Sequence, residues 1–139
     1  MFTGRCLCGG VGFTIRGQLG PFAYCHCSSC RRASGSAFTA NSPVAAAELT
    51  WTSGRDVIRE YESSPGKFRA FCGRCGSPIY ARHVAQPDWL SIRLGLIDAD
   101  PGHRAQAHFN VESKAPWFPI TDGLPQYLGD TETDSPESA

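Results

Sequence analysis

The sequence contains no apolar run near the roughly 18 to 20 residues that a membrane-spanning helix needs, so no transmembrane segment is expected. Its first residues, Met1-Phe2-Thr3-Gly4-Arg5, lack the apolar stretch of a secretory signal. Net charge is absent too, with 13 basic and 13 acidic side chains. Four of the acidic ones, Asp130, Glu132, Asp134 and Glu137, lie in 129–139, which has no basic residue. The preceding body is therefore mildly basic, and seven thiolates around two zinc ions would nearly cancel that surplus. Nucleic acid is thus not an expected partner. Beyond two cysteine knuckles there is no internal repeat. An even cysteine count is also missing, since seven cysteines cannot all form disulfides. With no export signal the expected location is cytoplasmic, where cysteine clusters more often signal metal binding or catalysis.

What is present favours a mainly β fold with short helical turns only. The 15 glycines and 10 prolines are spread between short apolar runs, as in a chain of many strands and turns. At 139 residues a single domain is expected over 1–128, followed by an acidic, disordered tail over 129–139.

Val11, Phe13 and Ile15 alternate behind Cys6-Leu7-Cys8-Gly9-Gly10, giving a knuckle that leads into a strand. Ala23-Tyr24-Cys25 is extended, so Cys25 and Cys27 share one side and His26 faces away. Ser28 to Ser34 reads as a short helix stopped by Gly35. Val57 to Glu62 and Lys67 to Cys72 form a hairpin around Ser63-Ser64-Pro65-Gly66. The returning strand ends in a zinc-ribbon-like knuckle, Cys72-Gly73-Arg74-Cys75-Gly76. Leu90, Ile92 and Leu94 alternate on a strand, and His108 to Val111 forms another. Lys114 to Gln126 is expected as an irregular arm whose Trp117 and Phe118 both need burial.

The cysteines divide as four and three. Cys6, Cys8, Cys72 and Cys75 supply the ligands of a closed structural zinc site. Cys25, Cys27 and Cys30 are left with no fourth local ligand, the pattern of a catalytic zinc with an open position. An all-thiolate zinc is soft, and suits ionising a substrate thiol for addition to a carbonyl. His26 is a candidate for moving a proton there. Arg31 and Arg32, just behind Cys30, are candidates for holding the carboxylates of a thiol cofactor.

Four segments in order carry a resemblance: Gly4-Arg5-Cys6-Leu7-Cys8-Gly9; Cys25-His26-Cys27-Ser28-Ser29-Cys30-Arg31-Arg32; Phe71-Cys72-Gly73-Arg74-Cys75-Gly76-Ser77-Pro78; and Ala115-Pro116-Trp117-Phe118 through Asp122-Gly123-Leu124-Pro125. Over about residues 4 to 127 the chain resembles the glutathione-dependent formaldehyde-activating enzyme (Gfa) family, which also includes centromere protein V. The resemblance implies a β-tent fold, one structural and one catalytic zinc, and a carbon–sulfur lyase of the S-(hydroxymethyl)glutathione synthase type. Its substrates would be glutathione or a similar small thiol and formaldehyde or a related aldehyde. The alternative is a zinc-stabilised thiol carrier or protein-binding module without turnover. A redox reading, by comparison with methionine-R-sulfoxide reductases, lacks the isolated nucleophilic cysteine it requires. A homo-oligomer stays open.

Overall fold

The computed structural model describes residues 1–130. The strands, in chain order, are β1 (Phe2–Arg5), β2 (Gly12–Ile15), β3 (Phe22–Cys25), β4 (Thr39–Ala45), β5 (Leu49–Ser53), β6 (Ile58–Ser64), β7 (Lys67–Cys72), β8 (Pro78–His83), β9 (Trp89–Arg93) and β10 (Ala105–Phe109). The α-helix α1 (Ser28–Ser34) and short 3-10 turns complete a mainly β chain, as the spread of glycine and proline predicts. No helix among the described residues is long and apolar enough to cross a membrane. The chain forms two compact units, one of residues 1–20 and 41–103, the other of residues 21–40 and 104 onward.

In the first unit β1, β2 and β5 form an antiparallel sheet in that order. Strands β4, β9, β8, β7 and β6 follow one another antiparallel. The alternating residues point inward: Val11, Phe13 and Ile15 are buried with Leu19, Val44, Ile79 and Ile92. Cys6 and Cys72 belong to that same core, so two of the sulfurs are set in apolar packing. Strand β1 has no strong alternation in the sequence. It forms because Gly4, lacking a Cβ, lets the Phe13 ring lie where a methyl group would stand 2.4 Å from it. The β6–β7 hairpin runs with Ile58 opposite Cys72, which delivers Cys72 to the sheet end.

In the second unit β3 and β10 pair in parallel, with Phe109 beside Cys25. The segment after β10 returns along it: Tyr127 N–H donates to the His108 carbonyl at 2.9 Å, and His108 N–H donates to the Pro125 carbonyl at 2.9 Å. Phe109 and Tyr127 stack at 5.1 Å.

Three local expectations change. Trp117 is 68% exposed, not buried. Its neighbour Phe118 takes the inward place, against Phe38 at 5.4 Å between ring centroids. Leu94 opens a 3-10 turn rather than extending β9. Strand β10 ends at Phe109, because Asn110 turns into the left-handed region at φ 59 and Val111 begins a 3-10 turn. Of the tail expected from residue 129, Gly129 accepts a hydrogen bond from Asn110 N–H at 2.7 Å. Residues 131–139 lie outside the described residues.

Candidate metal centres

The first sulfur cluster is built from the two knuckles. Gly9 turns at φ 77 and sends its N–H to the Cys6 carbonyl at 3.0 Å. The chain then points Val11 N–H at Cys6 Sγ, 3.3 Å, and Gly10 N–H at Cys8 Sγ, 3.4 Å. The second knuckle repeats the device, with Arg74 N–H on Cys72 Sγ at 3.4 Å and Gly76 N–H on the Cys72 carbonyl at 2.8 Å. Ser77 joins the knuckles, since its Oγ accepts from Leu7 N–H at 2.9 Å and lies 3.4 Å from Cys75 Sγ. The Ser77 hydroxyl, helped by backbone amides, holds the Cys75 thiol down at about 5.

These four sulfurs lie within 4.8 Å of one another. Cys6 and Cys8 Sγ are 3.6 Å apart, and Cys8 and Cys72 Sγ are 3.9 Å apart. A zinc tetrahedron with Zn–S near 2.3 Å has sulfur–sulfur edges of about 3.8 Å. The spacing therefore fits one ion, and it is far too long for a disulfide.

The second cluster is Cys25, Cys27 and Cys30, again within 4.8 Å of one another. Cys25 closes β3. Cys27 is the N-cap of α1, and its Sγ accepts from Cys30 N–H at 3.2 Å. Cys30 sits buried in the first helical turn, and Gly35 ends the helix at φ 64. Hydrogen bonds with Cys27 and Cys30, and then burial, push the Cys25 thiol well above its usual range. Three thiolates so close repel one another, and a cation between them removes that penalty.

The residues around this cluster come from far along the chain. Asn110 Nδ2 donates to Cys25 Sγ at 3.3 Å. His26 does not join the sulfurs. It is fully buried, and its Nε2 meets His108 Nδ1 at 2.7 Å. His108 is also buried, and its Nε2 meets Asp122 Oδ2 at 2.8 Å. Since an ionised Asp122 only accepts, His108 donates from Nε2; in its neutral form it accepts at Nδ1 from His26 Nε2–H. His26 Nδ1 is then the unprotonated ring nitrogen, buried beside the Ala37 backbone without a well-formed hydrogen bond. Burial, and then the nearby His108 and Lys114, lower His26 to about 4, so it stays neutral near pH 7. The His26 backbone is pinned as well, by Phe109 O at 2.9 Å and Ser113 Oγ at 3.2 Å. Arg31 is half-buried with an unpartnered Nε, whereas Arg32 is exposed. The cysteine spacing predicts both clusters. Nothing local in sequence marks His108 or Asn110, 82 and 84 residues beyond His26; Asp122, 96 residues beyond it, stands in the fourth segment of the resemblance but without a role there.

A mainly β chain whose seven cysteines form one four-sulfur and one three-sulfur cluster is, in architecture and donor set, a protein fitted to hold two metal ions through thiolates. The family model described as glutathione-dependent formaldehyde-activating enzyme matches residues 1–113, and the chain belongs to that family. No curated protein matches the chain. Among solved structures it is similar to the crystal structure of a Rhodobacter sphaeroides protein. The two share 20% sequence identity and a TM-score of 0.59, over 71% of this chain and 91% of that one. At that identity the likeness shows the fold alone.

Proposed function

We infer a formaldehyde-activating, glutathione-related function from family membership, with cysteine clusters compatible with zinc. We propose that the protein is a carbon–sulfur lyase that adds glutathione or a similar thiol to formaldehyde or a related aldehyde. In the addition a carbon–sulfur bond forms, the carbonyl π bond breaks, and the thiol proton passes to the oxygen. Cys6, Cys8, Cys72 and Cys75 would hold a structural zinc, and Cys25, Cys27 and Cys30 a catalytic one. Zinc on three thiolates supplies a soft Lewis-acidic position that favours ionisation of an incoming thiol.

The observation that carries this reading is the three-sulfur cluster itself. Among the described residues no fourth ligand joins it. His26, between the first two cysteines, is not among the residues that join the sulfurs, and its Nε2 is committed to His108. In this reading His26 is a positioning residue: through His108 and Asp122 it holds the Cys25–Cys27 turn rigid. Asn110 lowers the charge on Cys25 Sγ by donating to it. Arg31, with its unpartnered Nε, is the better candidate for a substrate carboxylate, and Arg32 the outer one.

The test compares Cys30→Ser with Cys75→Ser. Cys30→Ser should lose one metal equivalent and all acceleration of the thiol–formaldehyde adduct, followed by NMR, while keeping its fold. Cys75→Ser should be strongly destabilised. If both variants lose the same metal and the same stability, the division into two roles is wrong. Calorimetric binding of glutathione without accelerated adduct formation would replace the enzyme with a thiol carrier.

A further inference from the structure

The first unit contains a cleft of about 610 Å³ that neither sulfur cluster uses. Its origin lies in strand register. Glu60 on β6 and Tyr80 on β8 both pair with Ala70 on the strand between them. A large side chain at position 70 would separate them. With alanine there, Tyr80 Oη reaches across to donate to Glu60 Oε2 at 2.7 Å. Arg82, two residues along β8 on the same face, donates from Nε and Nη2 to the same carboxylate at 2.7 and 2.8 Å. Its guanidinium lies 4.4 Å over the Phe68 ring, which fixes it further. The floor of the cleft is thus a rigid network in which one carboxylate is matched by one guanidinium.

Two more arginines line the cleft, Arg55 and Arg59. Neither forms an ion pair with an acidic residue among the described residues. Arg59 is held in place: its stem lies against Gly73, and its Nη1 donates to the carbonyls of Asp56 and Ile58 at 3.0 and 3.2 Å. Arg55 stands close enough to Tyr80 to act on its hydroxyl electrostatically. The cleft therefore carries two uncompensated positive charges. One wall is aromatic, formed by Trp51 and Tyr80, whose rings lie 5.9 Å apart and are tilted by 44° to each other. The volume falls within the roughly 300 to 1,000 Å³ of small-molecule sites. Guanidinium forks recognise planar or tetrahedral oxyanions, and aromatic walls favour a flat apolar body.

We propose that this cleft is a binding site for a small dianion that carries a flat ring, held by Arg55 and Arg59 at its anionic end and by Trp51 and Tyr80 along its ring. The proposal is independent of the chemistry at the three-sulfur cluster. A phosphate or a carboxylate pair could supply the anionic end. Two probes separate these sources, adenosine monophosphate and phthalate, with adenosine and inorganic phosphate as the ring-only and anion-only controls.

Binding is followed on the metal-loaded full chain by the Trp51 indole resonance in low salt. At least one dianionic ring probe should saturate below 1 mM, at least tenfold tighter than either control. Whether AMP or phthalate meets that mark identifies the anionic end. Arg55→Gln and Arg59→Gln should each weaken it about tenfold. Glu60→Gln should act in the opposite sense and tighten it several-fold, because it leaves the Arg82 charge uncompensated. A variant that merely loosened the cleft would not do this. Arg55 is exposed and bonds no backbone, so Arg55→Gln alone decides if Arg59→Gln does not fold. No saturation by either dianion up to 10 mM overturns the proposal. So does adenosine or inorganic phosphate binding as tightly as the better of the two dianions, or weakening by Glu60→Gln in a folded variant.

Discussion

Replacing Gly54 by alanine probes how the four-sulfur cluster is seated. Gly54 has φ +72, where a side chain costs about 1–2 kcal/mol. A Cβ built there would also stand 2.1 Å from the Gly10 carbonyl oxygen and 2.9 Å from Val11 Cα. Both contacts are backbone, so no rotamer change relieves them, and the overlap adds about 1–3 kcal/mol. The total of about 2–5 kcal/mol is a large share of the roughly 5–15 kcal/mol that stabilises a typical domain. Gly10 and Val11 also carry the N–H groups aimed at Cys8 and Cys6 Sγ. Displacing them should therefore loosen the metal as well as the fold. The matched control is Gly17→Ala, with φ +74 and no atom within 4 Å of a new Cβ. It should show only the conformational cost. Urea denaturation of the zinc-loaded proteins measures the stability difference between the two variants, expected at about 1–3 kcal/mol. A chromogenic chelator measures the rate of metal loss, expected to rise in Gly54→Ala only. Equal stabilities, or equal rates of metal loss, would refute the contact with Gly10 as the reason this position is glycine.

Asn110→Gly should keep the left-handed backbone at this position and lose only the N–H···S bond to Cys25. In the cobalt-substituted protein the sulfur-to-metal charge-transfer band should then move to longer wavelength, with stability changed by less than about 1 kcal/mol; an unmoved band would exclude the bond. The Arg82 bonds, and the Tyr80 hydroxyl after them, hold Glu60 below the usual carboxylate range despite its partial burial. A depressed carboxylate contributes stability that is full above its unfolded pKa and lost as pH falls through the lower folded value. The urea midpoints of wild type and Glu60→Gln should therefore differ at neutral pH and converge in acid; a gap independent of pH would refute this pairing.

The parts of this protein that were legible in its sequence are those encoded within a few residues. Helix α1 over Ser28 to Ser34 and its stop at Gly35 follow from the glycine, whereas the Cys27 cap emerges only in the structure. The β6–β7 hairpin follows from its turn residues. Strand β1 was not legible, because its support is a contact between Gly4 and Phe13 across a sheet. Trp117 was misjudged because aromatic character alone favours burial, whereas consecutive residues of an irregular arm cannot both face inward, and Phe118 already does.

Spacing alone divided the seven cysteines into four and three, because a ligand pair in a tight knuckle fixes its own geometry and needs only a partner pair to close a tetrahedron. Tertiary structure decided everything that acts on those sulfurs from a distance. The parallel pairing of β3 with β10 brings Asn110 onto Cys25 and His108 onto His26, and the returning arm adds Asp122. A hydrogen bond between residues 82 positions apart leaves no periodic trace in a sequence; it exists only once the strands are in register. The arginine cleft arises the same way, from one alanine that the sheet places between a glutamate and a tyrosine.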